Sequence, residues 1–285
     1  MRILKNRLKE AFKTAFPQTA TRFFSARPRA VSHKLVQKWG CTAVNRKLVE
    51  AFGAQVFHGP FKGMTLSDET FREHVGPHLL GRYEYELNPI WGEVFRMSFK
   101  QIIDVGAKFG FYAVGLARQF PAVPVIAFDS DSWARMATRE MADANHVQLE
   151  VRSFCDPAWL GRNLQESAFI FSDCEGYESV LFEQAQSENL ASATMLIEVH
   201  EQFSQGVMDR LRAKFSGTHE IVVIPQQPGA LPNLPELDIL TPNEREIAVS
   251  GYRGVEELWM YFKPQFRRTP WDVESLGDSG AKTKA

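Results

Sequence analysis

Asp104-Val105-Gly106-Ala107-Lys108-Phe109-Gly110 is the first stretch of this 285-residue chain whose residue types and spacing suggest chemistry. It follows a short apolar run and opens a helical pattern. Glycines let a backbone turn tightly and approach a ligand closely, and a helix N-terminus offers free N–H groups. Asp129 ends the next apolar run, 25 residues after Asp104. A carboxylate at that place can accept both ribose hydroxyls of an adenosine. The glycines read G-x-x-x-G, whereas a dinucleotide site wants G-x-G-x-x-G, and no G-x-x-x-x-G-K-[ST] phosphate loop exists. An adenosine cofactor without phosphates fits best, which points to S-adenosyl-L-methionine. Its sulfonium and amino group favour nearby carboxylates and aromatic faces.

Two further clusters follow. Asp173-Cys174-Glu175-Gly176-Tyr177-Glu178 sits after a later apolar run, and Ile197-Glu198-Val199-His200-Glu201 after the next. Ligands of open α/β sheets bind at the carboxyl ends of the strands, so both are site candidates. Against this, acidic residues are also favoured in a helix first turn, and a His at a strand end is as often structural. Glu175 and His200 are the candidate bases; Asp173 joins Asp104, Gly106, Gly110 and Asp129 as a cofactor residue. No metal site is expected: His74 and His78 stand at i, i+4 but lack a surrounding HExxH. Cys41, Cys155 and Cys174 show no CxxC spacing, which argues against a disulfide framework or zinc ribbon and for a reducing compartment.

The elements that must position these residues alternate from residue 101 onward. Strands are expected at Gln101–Val105, Val125–Phe128, Val147–Val151, Phe169–Phe171, Met195–Val199, Glu220–Ile224 and Leu258–Phe262. Helices are expected at Phe111–Phe120, Trp133–Asn145, Ser179–Asn189 and Val207–Phe215, with a short one at Asn243–Val249. Such βαβα order predicts an α/β fold with a mostly parallel sheet covered on both faces. Earlier, Leu35–Trp39 and Arg46–Phe52 read as helices, Gln55–Phe57 and Met64–Leu66 as short strands, and Tyr83–Phe99 as a helix interrupted by Pro89.

In this order and spacing, DVGAKFGFYA, AFDSD, DCEGYE and IEVH resemble the FkbM family of S-adenosylmethionine-dependent methyltransferases. The resemblance covers roughly residues 80–225, and its DxEGxE element is the most specific part. Gly81-Arg82-Tyr83-Glu84 is similar to a segment preceding the glycine motif in that family, which adds Glu84 to the cofactor residues. The resemblance implies a Rossmann-like class I methyltransferase core of seven strands, the last antiparallel. It also implies methyl transfer to a hydroxyl of a sugar, glycan or related metabolite. Lys108 and Ser172 depart from it, where the family commonly has Asn and Lys.

The rest of the chain frames this domain. Residues 1–50 carry 12 basic and 2 acidic side chains, while the remainder carries 21 basic and 32 acidic, so a net charge of −1 hides an asymmetry. Residues 1–80 read as a basic, largely helical extension, 81–264 as the methyltransferase domain, and 265–285 as a polar tail. Residues 1–16 have amphipathic helical spacing, suited to packing on their own domain or to peripheral contact with an anionic membrane through residues 1–29. Nucleic acid is the poorer partner, since this stretch lacks an interleaved aromatic platform. No apolar run approaches the roughly 18 residues that span a bilayer; a cytoplasmic protein, peripheral at most, is expected. Five prolines within 225–246 mark a flap that could close over the strand ends. The alternative function is a degenerate methyltransferase fold acting through its basic front. A nicotinamide-dependent oxidoreductase is disfavoured by the glycine spacing.

Overall fold

The computed structural model describes residues 40–73, 75–227, 231–250 and 258–265. The amphipathic leader, the expected helix at 35–39 and nearly all of the polar tail lie outside these residues.

Helix α1 (Cys41–Phe52), the short α2 (Gly76–Leu79) and α3 (Asn88–Val94) precede the sheet. Then follow β1 (Gln101–Val105), α4 (Phe111–Gln119), β2 (Val125–Phe128), α5 (Ser132–Ala144), β3 (Glu150–Arg152) and α6 (Pro157–Asn163). The second half runs β4 (Ala168–Ser172), α7 (Glu178–Gln184), β5 (Thr194–Val199), α8 (Val207–Phe215), β6 (His219–Pro225), α9 (Pro242–Val249) and β7 (Leu258–Pro264). The seven strands form one sheet in the order β3-β2-β1-β4-β5-β7-β6. β7 runs antiparallel to both β5 and β6, and the other pairings are parallel.

Every residue of β1, β2, β4 and β5 is buried. Strands covered on both faces need apolar side chains at most consecutive positions, which is why they read as near-continuous apolar runs, with Asp104 and Glu198 the acids among them. Successive side chains point to opposite faces. Ile102, Phe169, Phe171, Leu196, Trp259 and Tyr261 enter one core. Ile103, Ile170, Met195, Ile197, Met260 and Phe262 enter the other.

Residues 41–80, grouped by composition with the basic leader, share the first of these cores. Val44, Leu48, Phe61, Met64 and Leu79 pack in the same apolar cluster as Ile102 and Trp259. The Pro-rich segment is likewise anchored in its described part. Leu237, Leu240 and Ala248 are buried in that cluster, Glu236 meets His58 Nε2 at 3.0 Å, and Glu244 meets Lys47 at 2.7 Å. Thr241 and Glu244 form a reciprocal capping box at the start of α9. Residues 231–250 are thus tied to the N-terminal segments rather than hanging as a free flap.

Smaller differences have local causes. Pro89 opens α3 instead of interrupting a longer helix, because its fixed φ and missing N–H suit a first turn. The two expected early strands shrink to one antiparallel bridge, Gln55 with Thr65. Strand β3 begins at Glu150, later than the expected Val147. Helix α6 escaped the sequence reading, although Asp156-Pro157 signals it: the Asp156 carboxylate accepts the Trp159 N–H at 2.6 Å.

Candidate functional site

The carboxyl ends of β1, β2, β4 and β5 lie side by side, and the predicted residues converge there. After β1 the chain turns at Gly106, with φ 93°. The N–H groups of Gly106 and Ala107 both donate to the Phe128 carbonyl at 2.9 Å, and Asp173 N–H donates to the Val105 carbonyl at 2.9 Å. A Cβ on Gly106 would stand 1.7 Å from the Asp173 carbonyl oxygen. The sequence reading reserved this glycine for close approach of a ligand; in the structure it is the chain's own backbone that approaches. Gly106 therefore locks the end of β1 to the end of β4 and places Asp173. Gly110, with φ 85°, caps α4, and a Cβ there would lie 3.0 Å from the Thr138 Cα, so it permits close packing of α4 against α5.

Asp129 joins the loops after β1 and β2. Its Oδ2 accepts the Lys108 N–H at 2.9 Å and its Oδ1 the Asp131 N–H at 2.7 Å. A carboxylate has about four lone-pair sites, so capacity for ribose hydroxyls remains. Asp104, at 1% exposure, is the least satisfied of the acids: neither of its oxygens has a hydrogen bond of good geometry among the described residues. Burial raises its pKa well above the ordinary carboxylate value, and the Asp173 and Asp129 charges add to this, opposed by the Ala113 backbone amide. Glu84, also buried, accepts the Tyr112 hydroxyl. Glu84, Asp173 and Glu198 bring carboxylate oxygens within 4.8 Å of one another.

His200 lies at the far side, 1% exposed. Its Nδ1 bonds Glu178 Oε1 at 2.7 Å, and that oxygen also accepts the Gly176 N–H at 3.1 Å. Its Nε2 faces Glu198 at 3.7 Å and Asp173 and Glu175 at 3.8 Å each. Burial alone would lower the pKa of the ring. The Glu178 hydrogen bond and charge, helped by Asp173 and Glu175, outweigh burial and raise it to about 9. These partners favour the protonated ring, whose nitrogens both donate. A buried ring held by these carboxylates suits the part of a counter-charge, beside the base expected from the sequence. Glu175 differs sharply, with its side chain 71% exposed.

All eight residues singled out in the sequence lie in this region. Glu178 and Glu198 were missed as functional residues, though both sit inside the quoted DCEGYE and IEVH segments. Glu178 reaches His200 only because β4 and β5 pair, with Ser172 beside Ile197, whereas Glu198 stands two residues before His200 on β5 itself.

This sheet order, with its antiparallel seventh strand and acids at the strand ends, is the Rossmann-like class I methyltransferase fold. No protein-family model matches the chain, and no curated protein matches it. Among solved structures it is similar to a putative O-methyltransferase from Klebsiella pneumoniae, at 12% identity, covering 80% of this chain and 99% of that one with a TM-score of 0.42. It is also similar to the O-methyltransferase TomG from Streptomyces achromogenes, at 12% identity, 66% and 86% coverage and a TM-score of 0.42. A third is the tRNA (uracil-54, C5)-methyltransferase of Pyrococcus abyssi, at 13% identity, 62% and 38% coverage and a TM-score of 0.39. No helix among the described residues is long and apolar enough to cross a membrane.

Proposed function

We propose that this protein is an S-adenosylmethionine-dependent methyltransferase that methylates a hydroxyl oxygen of a sugar, glycan or related metabolite, in the manner of the FkbM enzymes it resembles. The observation that carries the reading is Asp104, a buried carboxylate with unsatisfied oxygens beside Asp173 and Asp129. A buried unpaired anion is costly unless a cation or proton completes it. The cofactor's cationic end fits that need, and Asp129 fits its ribose. Gly106 fits as a spacer between β1 and β4 rather than as a cradle wall.

When bound, S-adenosylmethionine supplies an electrophilic methyl group on a cationic sulfur. Asp129 orients the ribose, while Asp104 and the Glu84–Asp173–Glu198 group face the cationic end. Holding both reactants in attack geometry can be worth about 7–11 kcal/mol. Glu175, exposed at the rim, takes the acceptor's proton, and His200 keeps Asp173 and Glu178 in place. The degenerate-fold alternative has no observation in its favour, since Asp104, Asp129 and Asp173 are all present at the strand ends. Titration of the protein with S-adenosylmethionine, S-adenosylhomocysteine and NAD tests the reading: the first two should bind and NAD should not, and the reverse order overturns it.

Three substitutions probe the parts. Asp129→Asn is expected to weaken S-adenosylmethionine binding at least tenfold, about 1.4 kcal/mol, because charged hydrogen bonds contribute about 1.5–3 kcal/mol; unchanged affinity in calorimetry would remove Asp129 from the ribose. Asp104→Asn should weaken the same binding tenfold or more, yet raise the melting temperature of the ligand-free protein near neutral pH. The sign follows from linkage. A carboxyl whose folded pKa is raised binds more protons folded than unfolded, so it subtracts stability as pH climbs above the unfolded value of about 3.9. A lower melting temperature would mean that Asp104 is satisfied in the free protein. Glu175→Gln, once an acceptor is found, should leave cofactor affinity within about threefold while turnover falls about 10²-fold, the usual scale for a lost base. Normal turnover would place the base elsewhere.

A further inference from the structure

We infer that Asp173, Glu175 and His200 form a binding site for one divalent cation of the Mn2+ or Mg2+ class. Oxygens of the two carboxylates and a ring nitrogen of His200 all lie within 4.8 Å of one another. The Nε2-to-carboxylate separations of 3.8 Å are too long for hydrogen bonds. They lie within the span of two metal bonds of about 2.1 Å each.

Two observations besides the clustering of acids point to a ligand. The His200 ring is 1% exposed, and its Nε2 faces the carboxylates without making a hydrogen bond. The Asp173 Oδ1 atom, aimed at that nitrogen, is buried and has no hydrogen-bond partner among the described residues. A buried polar atom left unmatched is expensive, so the Asp173 oxygen facing this nitrogen across a gap calls for something between them. The opposite side of the ring is arranged for ligation as well. Nδ1 bonds the fully buried Glu178 carboxylate at 2.7 Å, the hydrogen bond that ordinarily fixes the orientation of a metal-bound histidine and raises its basicity.

The donor set selects the ion. Two carboxylates and one imidazole, with no thiolate in the set, suit a hard oxygen-seeking cation that keeps water or substrate oxygens in its open positions. Glu175 can give one oxygen to the ion and keep the other toward solvent. Nε2 ligates as the neutral ring, so the ion displaces the proton held there in its absence. The sequence shows no ligand spacing because the three residues come from the ends of two strands, β4 and β5. The binding claim stands apart from the proposed function. Only the use of the ion rests on it: an acceptor hydroxyl coordinated there would lose its proton more readily.

The test is calorimetric and paramagnetic-resonance titration of the chelator-treated full chain with Mn2+, and then Mg2+, at about pH 8 without cofactor. One saturable site is expected, weakened at least tenfold in Asp173→Asn and in Glu175→Gln. Glu166→Gln, at an exposed acid paired with Lys100 away from the site, should bind as wild type. The exposed side chain of Glu175 makes its variant readable even if Asp173→Asn does not fold. Absence of saturable binding, or binding indifferent to the Glu175 substitution, overturns the site. S-adenosylmethionine titrated separately keeps the two ideas apart: cofactor binding with no ion site sinks only this inference, and an ion site with no cofactor binding sinks only the proposed function.

Discussion

Gly106→Ala should lower the melting temperature by about 10 °C, before any ligand is considered. At φ 93° a side chain is strained, and the added Cβ would sit 1.7 Å from the Asp173 carbonyl oxygen. The obstacle is backbone, held by the Asp173 N–H bond to Val105, so it cannot swing aside as a flexible side chain would. Strain of about 1–3 kcal/mol and overpacking of about 1–3 kcal/mol together make several kcal/mol. In a domain of this size each kcal/mol moves the midpoint by about 2–4 °C. Differential scanning calorimetry reads this directly. A glycine kept only for close approach of cofactor would behave differently: the variant would melt as wild type and lose affinity alone. That outcome would show that the β1 and β4 ends are not in contact.

His200→Ala should be comparably harmful, at about 3–5 kcal/mol, because removing one partner of a buried ion pair leaves the other uncompensated. Here the stranded partner is Glu178, with its side chain fully buried. The effect carries a pH signature in chelator-treated protein. His200 has its folded pKa raised to about 9, above an unfolded value of about 6.5. Its contribution is therefore complete below about pH 6.5 and is lost as pH rises through about 9. Urea denaturation of wild type and variant at several pH values should show their stability difference shrinking across that window. A constant difference would mean that His200 is neutral when folded and that its role is packing alone.

The Gly106 and His200 results would act on one site from different directions. Gly106 sets where Asp173 stands, and His200 sets how much negative charge the site retains. Both act through strand ends that are remote in sequence.

Much of the fold could be read from the chain because local chemistry writes it there. Strands buried on both faces must be near-continuous apolar runs, so β1, β2, β4 and β5 were visible. Helix α4 also follows its apolar pattern closely. Strand β3, with its first residue exposed, had no such run to mark its start, and the bridge at Gln55 and Thr65 is too short to leave a period. The acids at residues 104, 129 and 173 were recognisable because loops after parallel strands are where an open sheet places its ligands.

What the sequence determined by itself is the alternation of elements, the glycine turn and the presence of acids at successive strand ends. What only the tertiary structure decided is what these groups face. Gly106 faces the Asp173 backbone, His200 is enclosed by carboxylates from two strand ends, and the Pro-rich segment is pinned to His58 and Lys47. Apolar periodicity and turn residues act over a few neighbours along the chain, so they are written locally. The charge state of a histidine and the room beside a glycine depend on groups tens of residues away, brought together only when the strands pair.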